Sequence, residues 1–339
     1  MFVMTSNITI GTFSNVKPSA VKWKVGVGNF TDECTIDLPL RTYIRDEYKE
    51  DCLYPSGSPE RSITALSDDK RTVFKEGDKV EVWLGYNDNN TLRFKGFVKR
   101  INYAKPLVLE CEGYNYQLKD VIFNKSYKNT TVKQILTDLV KGTDIKLSDA
   151  IPNIIFSNAT FPKFPGQKVL EWFQKECKLA VFFDFDKLYV GHSKQGIAKP
   201  TVKLQLGWNT ADDKELKKDV SDADIQIHLV EKSSAGSVKR TKSDKTKYGN
   251  VKEVKVRSGL SDSDLKKIAN ELQNAESFNG YKGTITCFLQ PHFEKCYVAH
   301  IIDNLFPDRN GKYFVEQIDG TFSSSGGRQK LTLRYYGKN

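Results

Sequence analysis

The sequence has little of several things that common protein classes require. It contains two methionines among 339 residues but 20 phenylalanines and 15 tyrosines, a balance typical of folded, strand-rich proteins rather than of disordered chains. No apolar run approaches the roughly 20 residues that a membrane-spanning helix needs, so we expect no membrane insertion. The amino-terminal residues lack a basic start followed by an apolar block, and no secretory signal is therefore predicted.

Motifs that indicate chemistry are also missing. The six cysteines form neither a CxxC pair nor a dense framework, which fits buried thiols in a reducing compartment better than a secreted disulfide scaffold. The patterns GxGxxG, GxxxxGK(S/T), GxSxG and HExxH do not occur, so the phosphate-loop and common hydrolase interpretations lose their main support. We therefore expect no catalytic, cofactor-binding or metal site, and partner-binding residues cannot be named individually.

Two groups of residues were weighed against this expectation. The segment CFLQPHFEKCYVAH offers ligands of the types that zinc uses, but its spacing matches no known finger, and the alternative is two core thiols beside two partly exposed imidazoles. Asp184 and Asp186 resemble an acid–base pair, but we interpret them as turn residues of a hairpin. The four possible metal ligands are Cys287, His292, Cys296 and His300.

Positive charge is in excess and unevenly spread. The formal net charge is +10, and residues 238–257 hold eight basic residues against two acidic ones. We interpret this stretch as a solvated loop, with a nucleic-acid site as the alternative. The segment GYNYQLKDVIFNKSYK interleaves aromatic and basic residues, a pattern that is typical of proteins that bind single-stranded nucleic acids. Its second interpretation, which we prefer, is packing at the base of the first barrel.

Strand patterns dominate both ends of the chain. In VKWKVGVGNF, Val21, Trp23 and Val25 alternate with polar or small residues, as in half-buried antiparallel strands. The hexamer FVKRIN at residues 97–102 returns as FVEQID at residues 314–319. Each copy lies in the same order of strand, polar loop, strand, turn, strand and glycine, predicted at residues 79–84, 87–90, 92–102, 105–106 and 107–112, and at 296–302, 308–311, 312–319, 323–327 and 330–336.

This repeat predicts two similar small β-barrels or sandwiches, one at each end of the chain. Two unrelated meanders that share ordinary hairpin features are the alternative. Three helices are predicted between the copies, in TTVKQILTDLVKG with a capping box at Thr131 and Gln134, in PGQKVLEWFQKECKL, and in SDSDLKKIANELQNAES capped by Ser261. Residues 235–249 are predicted to be the least structured.

The predicted fold class is thus mainly β with an α+β insertion, in which a helix-containing middle region joins two similar small β-barrel domains. The length also suggests more than one domain. The boundaries place the first β-barrel in residues 1–113, an α+β middle domain in 114–196, a linking region with strands, basic loop and helix in 197–278, and the completion of the second barrel in 279–339.

The order of these parts resembles a known family. A barrel strand leads to GYNYQLKD, a helix in TTVKQILTDL follows, then PGQKVLEWFQKECKLAVFFDFDKLYVG, a capped helix beginning GLSDSDLKKIANE, and a last barrel with GKYFVEQIDGTFSSSGGRQKLTLRYY. This order is similar to the late control D family of contractile phage tail hubs and to the amino-terminal hub part of VgrG. Residues 198–238 match the family pattern poorly, and we expect neither an OB-fold nor a β-helical spike.

The resemblance implies a structural baseplate hub without chemistry of its own. Three copies would form a pseudo-sixfold ring of barrels that joins the tail tube to the central spike, with DNA or other cargo passing through the channel without specific binding. The protein would be made in the bacterial cytoplasm and located in the virion tail baseplate. Subunit contacts are expected around residues 80–114 and 297–336.

Three alternatives stay open. In the first, the chain is a hub of a type VI or extracellular contractile injection system. In the second, it is a β-rich protein that binds nucleic acid or glycan. In the third, it is an enzyme such as a wall hydrolase. The last has no convincing acid pair to support it.

Overall fold

The computed structural model describes most of the chain. Strands account for 54% of the structure, and the described residues contain three α-helices, so the prediction of a mainly β protein with helices in the middle is confirmed. No sheet is closed within the described residues, and the pair of barrel domains stays a prediction. The described residues are 3–39, 45–46, 74–197, 199–220, 225–232, 238–244, 250–257, 259–276 and 279–337.

The first strands have the predicted two-residue period. In the third of them Val21, Trp23 and Val25 are buried, whereas Lys22 and Lys24 are exposed. The polar loop predicted at residues 87–90 is shorter in the structure, because its last two residues pair in a strand. The strands are β1 (Met4–Ile10), β2 (Phe13–Ser14), β3 (Ala20–Gly26), β4 (Glu33–Leu38), β5 (Arg45–Asp46), β6 (Lys79–Tyr86), β7 (Asn89–Asn102) and β8 (Leu107–Glu112).

Helices alternate with strands in the next part of the chain. The first helix begins at its predicted cap, where the Gln134 N–H donates to Thr131 Oγ1 at 3.2 Å. The second predicted helix is a short α-helix that continues as a π-helical turn, Trp172–Glu176. A 3₁₀ turn, Tyr114–Leu118, precedes β9 (Ile122–Thr131), α1 (Val132–Leu139), β10 (Lys146–Leu147), β11 (Ile155–Pro165), α2 (Gly166–Glu171), β12 (Ala180–Asp184) and β13 (Lys187–Gly191).

The following part contains more strands than the sequence predicted. Residues 238–242, placed in the least structured segment, form a strand because the backbone pairs with a neighbouring strand; that prediction is wrong for these residues, and 235–237 and 245–249 lie outside the described part. The Asp264 N–H donates to the predicted cap Ser261 at 3.2 Å. The elements are β14 (Thr201–Gln205), β15 (Thr210–Asp212), β16 (Lys217–Val220), β17 (Ile225–Lys232), β18 (Val238–Lys242), β19 (Asn250–Val256) and α3 (Asp262–Glu276).

Long antiparallel strands end the chain. They are β20 (Asn279–Cys287), β21 (Val298–Ile302), β22 (Gly311–Ser323) and β23 (Gly326–Gly337), with a 3₁₀ turn at Pro307–Arg309. We call β1–β8 the first half, β14–β16 with β20–β23 the second half, and the remaining elements the middle region. The predicted domain boundaries at residues 113, 196 and 278 stay a prediction, although β14 already pairs with β21 and β16 with β20.

Both halves lie on one continuous sheet. Its main path runs β15-β20-β23-β22-β3-β4-β8-β7-β6-β1-β2-β5, so that β22 and β3 connect the halves. One hydrophobic core extends from Ile8 and Val82 in the first half to Ile318 and Leu331 in the second. The middle region has a separate core, in which α1 and α3 pack against β11 and β17.

The repeated hexamers occupy equivalent positions in the two halves. Phe97 pairs with Glu112 in the hairpin of β7 and β8, and Phe314 pairs with Arg334 in the hairpin of β22 and β23. Both hairpins contain a register shift at the third residue of the hexamer, between Val98 and Arg100 in one and between Val315 and Gln317 in the other. A bulge of this kind bends the strand and increases its local twist.

A left-handed residue precedes each copy in the same relation. Gly77 (φ 89°) and Cys296 (φ 70°) both have positive φ. The Gly77 N–H donates to the carbonyl of Val98 at 2.8 Å, and the Cys296 N–H donates to that of Val315 at 3.0 Å. Shared bulges and shared hydrogen bonds go beyond general hairpin features, and they make the two halves a structural repeat.

Candidate interaction surfaces

The joint between the halves is an antiparallel pairing of β3 with β22. Seven residue pairs connect Ala20–Gly26 with residues 317–323, and the Val27 N–H extends the pairing with a 2.9 Å bond to the Glu316 carbonyl. The indole ring of Trp23 lies directly over Gly320, where a Cβ atom would lie 1.9 Å from the ring. Only glycine permits this approach of the ring to the strand.

A buried arginine lies beside this joint. Arg93 donates to the Leu289 carbonyl at 2.7 Å and to Gln329 Oε1 at 3.2 Å, and its guanidinium lies 6.0 Å from the centre of the Trp23 ring. Burial lowers the pKa of Arg93 to about 10. Arg93 belongs to the first half, and Leu289 and Gln329 belong to the second, so the arginine connects the halves through hydrogen bonds.

Buried and partly buried charges connect both halves with the middle region. Asp32, between β3 and β4, forms an ion pair with Lys295 of the second half, and both side chains are buried. Burial raises the pKa of Asp32, although Lys295 opposes the change. Lys199 lies 2.9 Å from Asp184 and 3.0 Å from Glu294. Burial acts to lower the pKa of Lys199, but the two carboxylates outweigh it and raise that pKa.

His292 extends this cluster toward the first half. Its Nε2 lies 3.1 Å from Glu294 Oε1, and its Nδ1 lies 3.3 Å from the hydroxyl of Thr91. Burial lowers the pKa of His292, with Glu294 opposing the shift. The cluster therefore holds β7, β12 and the segment before β21 together by charge-assisted contacts.

The sequence candidates for a metal site have separate partners. Cys287 and Cys296 are buried thiols, and burial raises the pKa of each to about 12. His292 belongs to the charged cluster, and His300 lies in β21 opposite Lys312. No group of three or more metal-binding side chains occurs in the part of the chain that the structure describes. Asp186 pairs with Lys146 at 2.9 Å, away from the partner of Asp184.

Five of the eight basic residues of the 238–257 stretch lie on β18 and β19 rather than in a loop, which corrects that part of the prediction. They are Lys239, Arg240, Lys242, Lys252 and Lys255, whereas Lys245 and Lys247 lie outside the described residues. The two strands pair with opposite edges of β17. Arg240 pairs with Glu253 at 3.0 Å and Lys252 with Glu276 at 2.7 Å, while Lys239 pairs with Asp262. Three of the eight basic residues are thus engaged in ion pairs within the chain.

The aromatic segment after β8 is packed as predicted. Tyr114 and Phe123 are buried, and Tyr116 stacks on Phe97 at a centroid distance of 5.6 Å. These rings connect the base of the first half to the middle core, and they do not form an open stacking surface.

An exposed apolar patch lies at one end of the second half. Trp208 is 81% exposed, Leu305 83% and Phe306 61%. Trp208 follows β14 and the other two follow β21; since these strands are parallel neighbours, the three side chains lie at the same end of the sheet. We call these three residues the apolar patch. Exposed apolar side chains grouped at one end of a sheet are candidates for a binding surface.

No protein-family model matches the chain, and no curated protein matches it by sequence. Solved structures do match over almost its whole length. The 43 kDa tail protein of prophage MuSo2 from Shewanella oneidensis is 14% identical, with a TM-score of 0.63 and 98% of each chain covered. A tail protein from Neisseria meningitidis MC58 is 13% identical, with a TM-score of 0.64, over 98% of this chain and 96% of that one.

The fold is that of prophage tail proteins. A third match is the E. coli c3393 protein, described as a component of the type VI secretion system with structural similarity to the T4 tail proteins gp27 and gp5. It is 10% identical, with a TM-score of 0.55, over 97% of this chain and 77% of that one. The resemblance found in the sequence is therefore confirmed at the level of the fold.

No helix in the described ranges is long and apolar enough to cross a membrane.

Proposed function

We propose that this chain is the structural hub of a contractile phage or prophage tail baseplate. Three copies would form a pseudo-sixfold ring that joins the tail tube to the central spike, with each half supplying one of six similar units. The domain boundaries at residues 113, 196 and 278 belong to this proposal. In the ring the protein transmits force and has no catalytic role.

The structural repeat is the observation that supports this function most strongly. Two halves with similar hexamers, a bulge at the same position and a left-handed residue at the same position give a chain with approximate twofold repetition. Three such chains around an axis present six similar units, which is what a sixfold tube and a threefold spike both require. The shared fold with prophage tail proteins supports the same role.

The apolar patch suits the spike rather than the tube. It follows β14 and β21 of the second half, whereas the corresponding connection in the first half is the tight turn at Asn87 and Asp88. A feature that occurs once in each chain occurs three times in a trimer. We therefore assign the patch to the threefold spike protein.

Native mass spectrometry of the purified chain, together with negative-stain imaging, tests the proposal. A trimeric ring with six lobes and a central channel is expected. A species that stays monomeric at high concentration, both alone and with tube and spike proteins from the same gene cluster, contradicts the hub function.

A hub of a type VI or extracellular injection system is the second candidate, because the fold is also similar to that of a type VI secretion component. Neighbouring genes separate the two. Capsid and portal genes indicate a phage tail, whereas toxin and ATPase genes indicate an injection machine.

A further inference from the structure

The pairing of β3 with β22 inside the chain shows how a similar pairing could form between two copies of the chain. Within the chain, the outer edge of β3 pairs with β22 just after the bulge of the second hexamer, starting with Gly26 opposite Gln317. By the equivalence of the hexamers, Gln317 corresponds to Arg100 of β7. The position in the first half that matches the joint is therefore the stretch Arg100 to Asn102.

The strand equivalent to β3 can be traced in the second half by the ladders. Glu33 of β4 pairs with Glu112, and Lys282 of β20 pairs with Arg334. Glu112 and Arg334 are equivalent, because they face Phe97 and Phe314. On the opposite side, Glu33 pairs with Lys24 of β3, and Lys282 pairs with Lys217 of β16. β16 is therefore equivalent to β3. Two residues further along each strand, Asp219 is equivalent to Gly26.

Both matching edges are unpaired in the part of the chain that the structure describes. β16 pairs with β20 along one side, and the ladder of β6 with β7 ends at Phe97, before Arg100. On its other side Arg100 pairs with Glu110 of β8. Open strand edges of this kind readily pair with another strand.

We propose that β16 of one copy pairs antiparallel with the Arg100-to-Asn102 edge of β7 in the next copy, with Asp219 directly opposite Arg100. Lys218 then faces Ile101, and Lys217 faces Asn102. This inference rests on the proposed ring and names the residues that close it. The partner is a second copy of this chain.

Charge supports this register. Arg100 forms an ion pair with Glu110 at 2.7 Å and its side chain remains 63% exposed. Asp219 forms an ion pair with Lys282. Asp219 opposite Arg100 would lie between two basic side chains, since it already pairs with Lys282, the diagonal neighbour on β20. Arg100 would in turn lie between two acidic side chains, those of Asp219 and Glu110. Opposite charges at facing positions of an antiparallel pair are stabilising, and like charges are destabilising.

The template also fixes the local geometry of the joint. The Gly26 N–H donates to Asp32 Oδ1 at 3.3 Å, away from β22, so Gly26 and Gln317 are a non-hydrogen-bonded pair. Cα atoms in such pairs lie about 4.5 Å apart, which is within the range that a disulfide spans. Arg100 and Asp219 therefore form a suitable position for a cross-link.

The test uses two single variants, Arg100→Cys and Asp219→Cys, co-expressed so that mixed rings form, and the double variant in one chain. Denaturing gels without reductant are expected to show a covalent dimer in the mixture and products up to the trimer in the double variant. The parent chain is the background control, since its described cysteines are buried and free. Arg100→Cys combined with Lys217→Cys is the register control, because residues two positions away on the partner strand are roughly 7–8 Å apart.

The outcomes separate this joint from the ring itself. Several-fold more cross-linking at Asp219 than at Lys217 supports the joint. A native trimer without the Arg100 to Asp219 cross-link, or with equal cross-linking in the control, overturns the joint and leaves the ring in place. A monomer under all conditions, for the parent and the variants, overturns both.

Discussion

The two halves share a hairpin plan but differ at its end. In the first half β6 and β7 are connected by Asn87 and Asp88, both with positive φ as a tight turn requires. In the second half the corresponding connection is residues 303–310, which expose Leu305 and Phe306. The paired strands are thus the part that the two halves have in common, and the connecting loops are the part in which they differ.

The largest effect is expected where the halves are joined by buried charge. Replacing Lys295 with alanine leaves the Asp32 carboxylate buried without its partner, and we expect the free energy of unfolding to fall by about 3–5 kcal/mol. The loss should shrink as the pH is lowered, because burial already raises the pKa of Asp32 and protonation removes the uncompensated charge. Urea unfolding at pH 5 and pH 8 measures both effects.

The matched control is the double variant Asp32→Asn with Lys295→Met. It removes both charges and should recover most of the lost stability. A single variant with equal losses at both pH values contradicts this account of the pair.

A smaller loss is expected from Gly320→Ala, which places a Cβ atom 1.9 Å from the Trp23 ring. Overpacking of this kind costs about 2–3 kcal/mol. Tyr103, the equivalent position of the first half, is 64% exposed, and Tyr103→Ala should change the free energy of unfolding by less than about 0.5 kcal/mol. Thermal unfolding of both variants measures the two changes. Equal losses of unfolding free energy would contradict the prediction that only the second half depends on this position.

Acid sensitivity is expected from His292, which lies between the halves. Burial lowers its pKa below the ordinary value of 6.5, so the native state binds this proton less readily than the unfolded chain. The stability that this group contributes is complete above pH 6.5, and it is lost as the pH falls from there through the lowered pKa of the native state. The difference in unfolding free energy between the parent and His292→Gln should therefore change between pH 7.5 and pH 5, whereas His228→Gln, in the middle region, provides the control.

The smallest effect on folding is expected from the apolar patch. The double variant Leu305→Ser with Phe306→Ser should change the free energy of unfolding by less than about 0.5 kcal/mol and leave the trimer intact in native mass spectrometry. Loss of the trimer in this variant would assign the subunit contact to the loop instead of the strand edges.

Local patterns in the sequence predicted much of this fold. The strand at residues 107–112 and the Thr131 and Ser261 caps follow from a few neighbouring residues, and the structure has them in place. The joint of β3 with β22 was not predicted, because the alternation in VKWKVG shows that a strand exists but does not show which strand lies beside it. The ion pair of Asp32 and Lys295 connects residues 263 positions apart, and no spacing rule relates them.

Charge composition was equally uninformative about the middle region. Residues 238–242 have few apolar side chains, so a loop was predicted, but the pairing of Arg240 opposite Val230 makes a strand. Subunit contacts were predicted only as the broad ranges 80–114 and 297–336. Arg100 of the proposed joint lies in the first range, whereas β16 lies outside both, because only the ladders show which strand edges lack a neighbour among the described residues.

In the ring that we propose, the contact of Trp23 with Gly320 restricts which strand can take part in each joint. The residue of the first half that corresponds to Gly320 is Tyr103, and a tyrosine at that position has no room for an indole ring. β3 therefore fits β22 but not β7, and it cannot replace β16 at the proposed joint. In the proposed ring, two joints that do not exchange would prevent strand-swapped chains from growing without end, and association would stop at a closed ring instead of a filament.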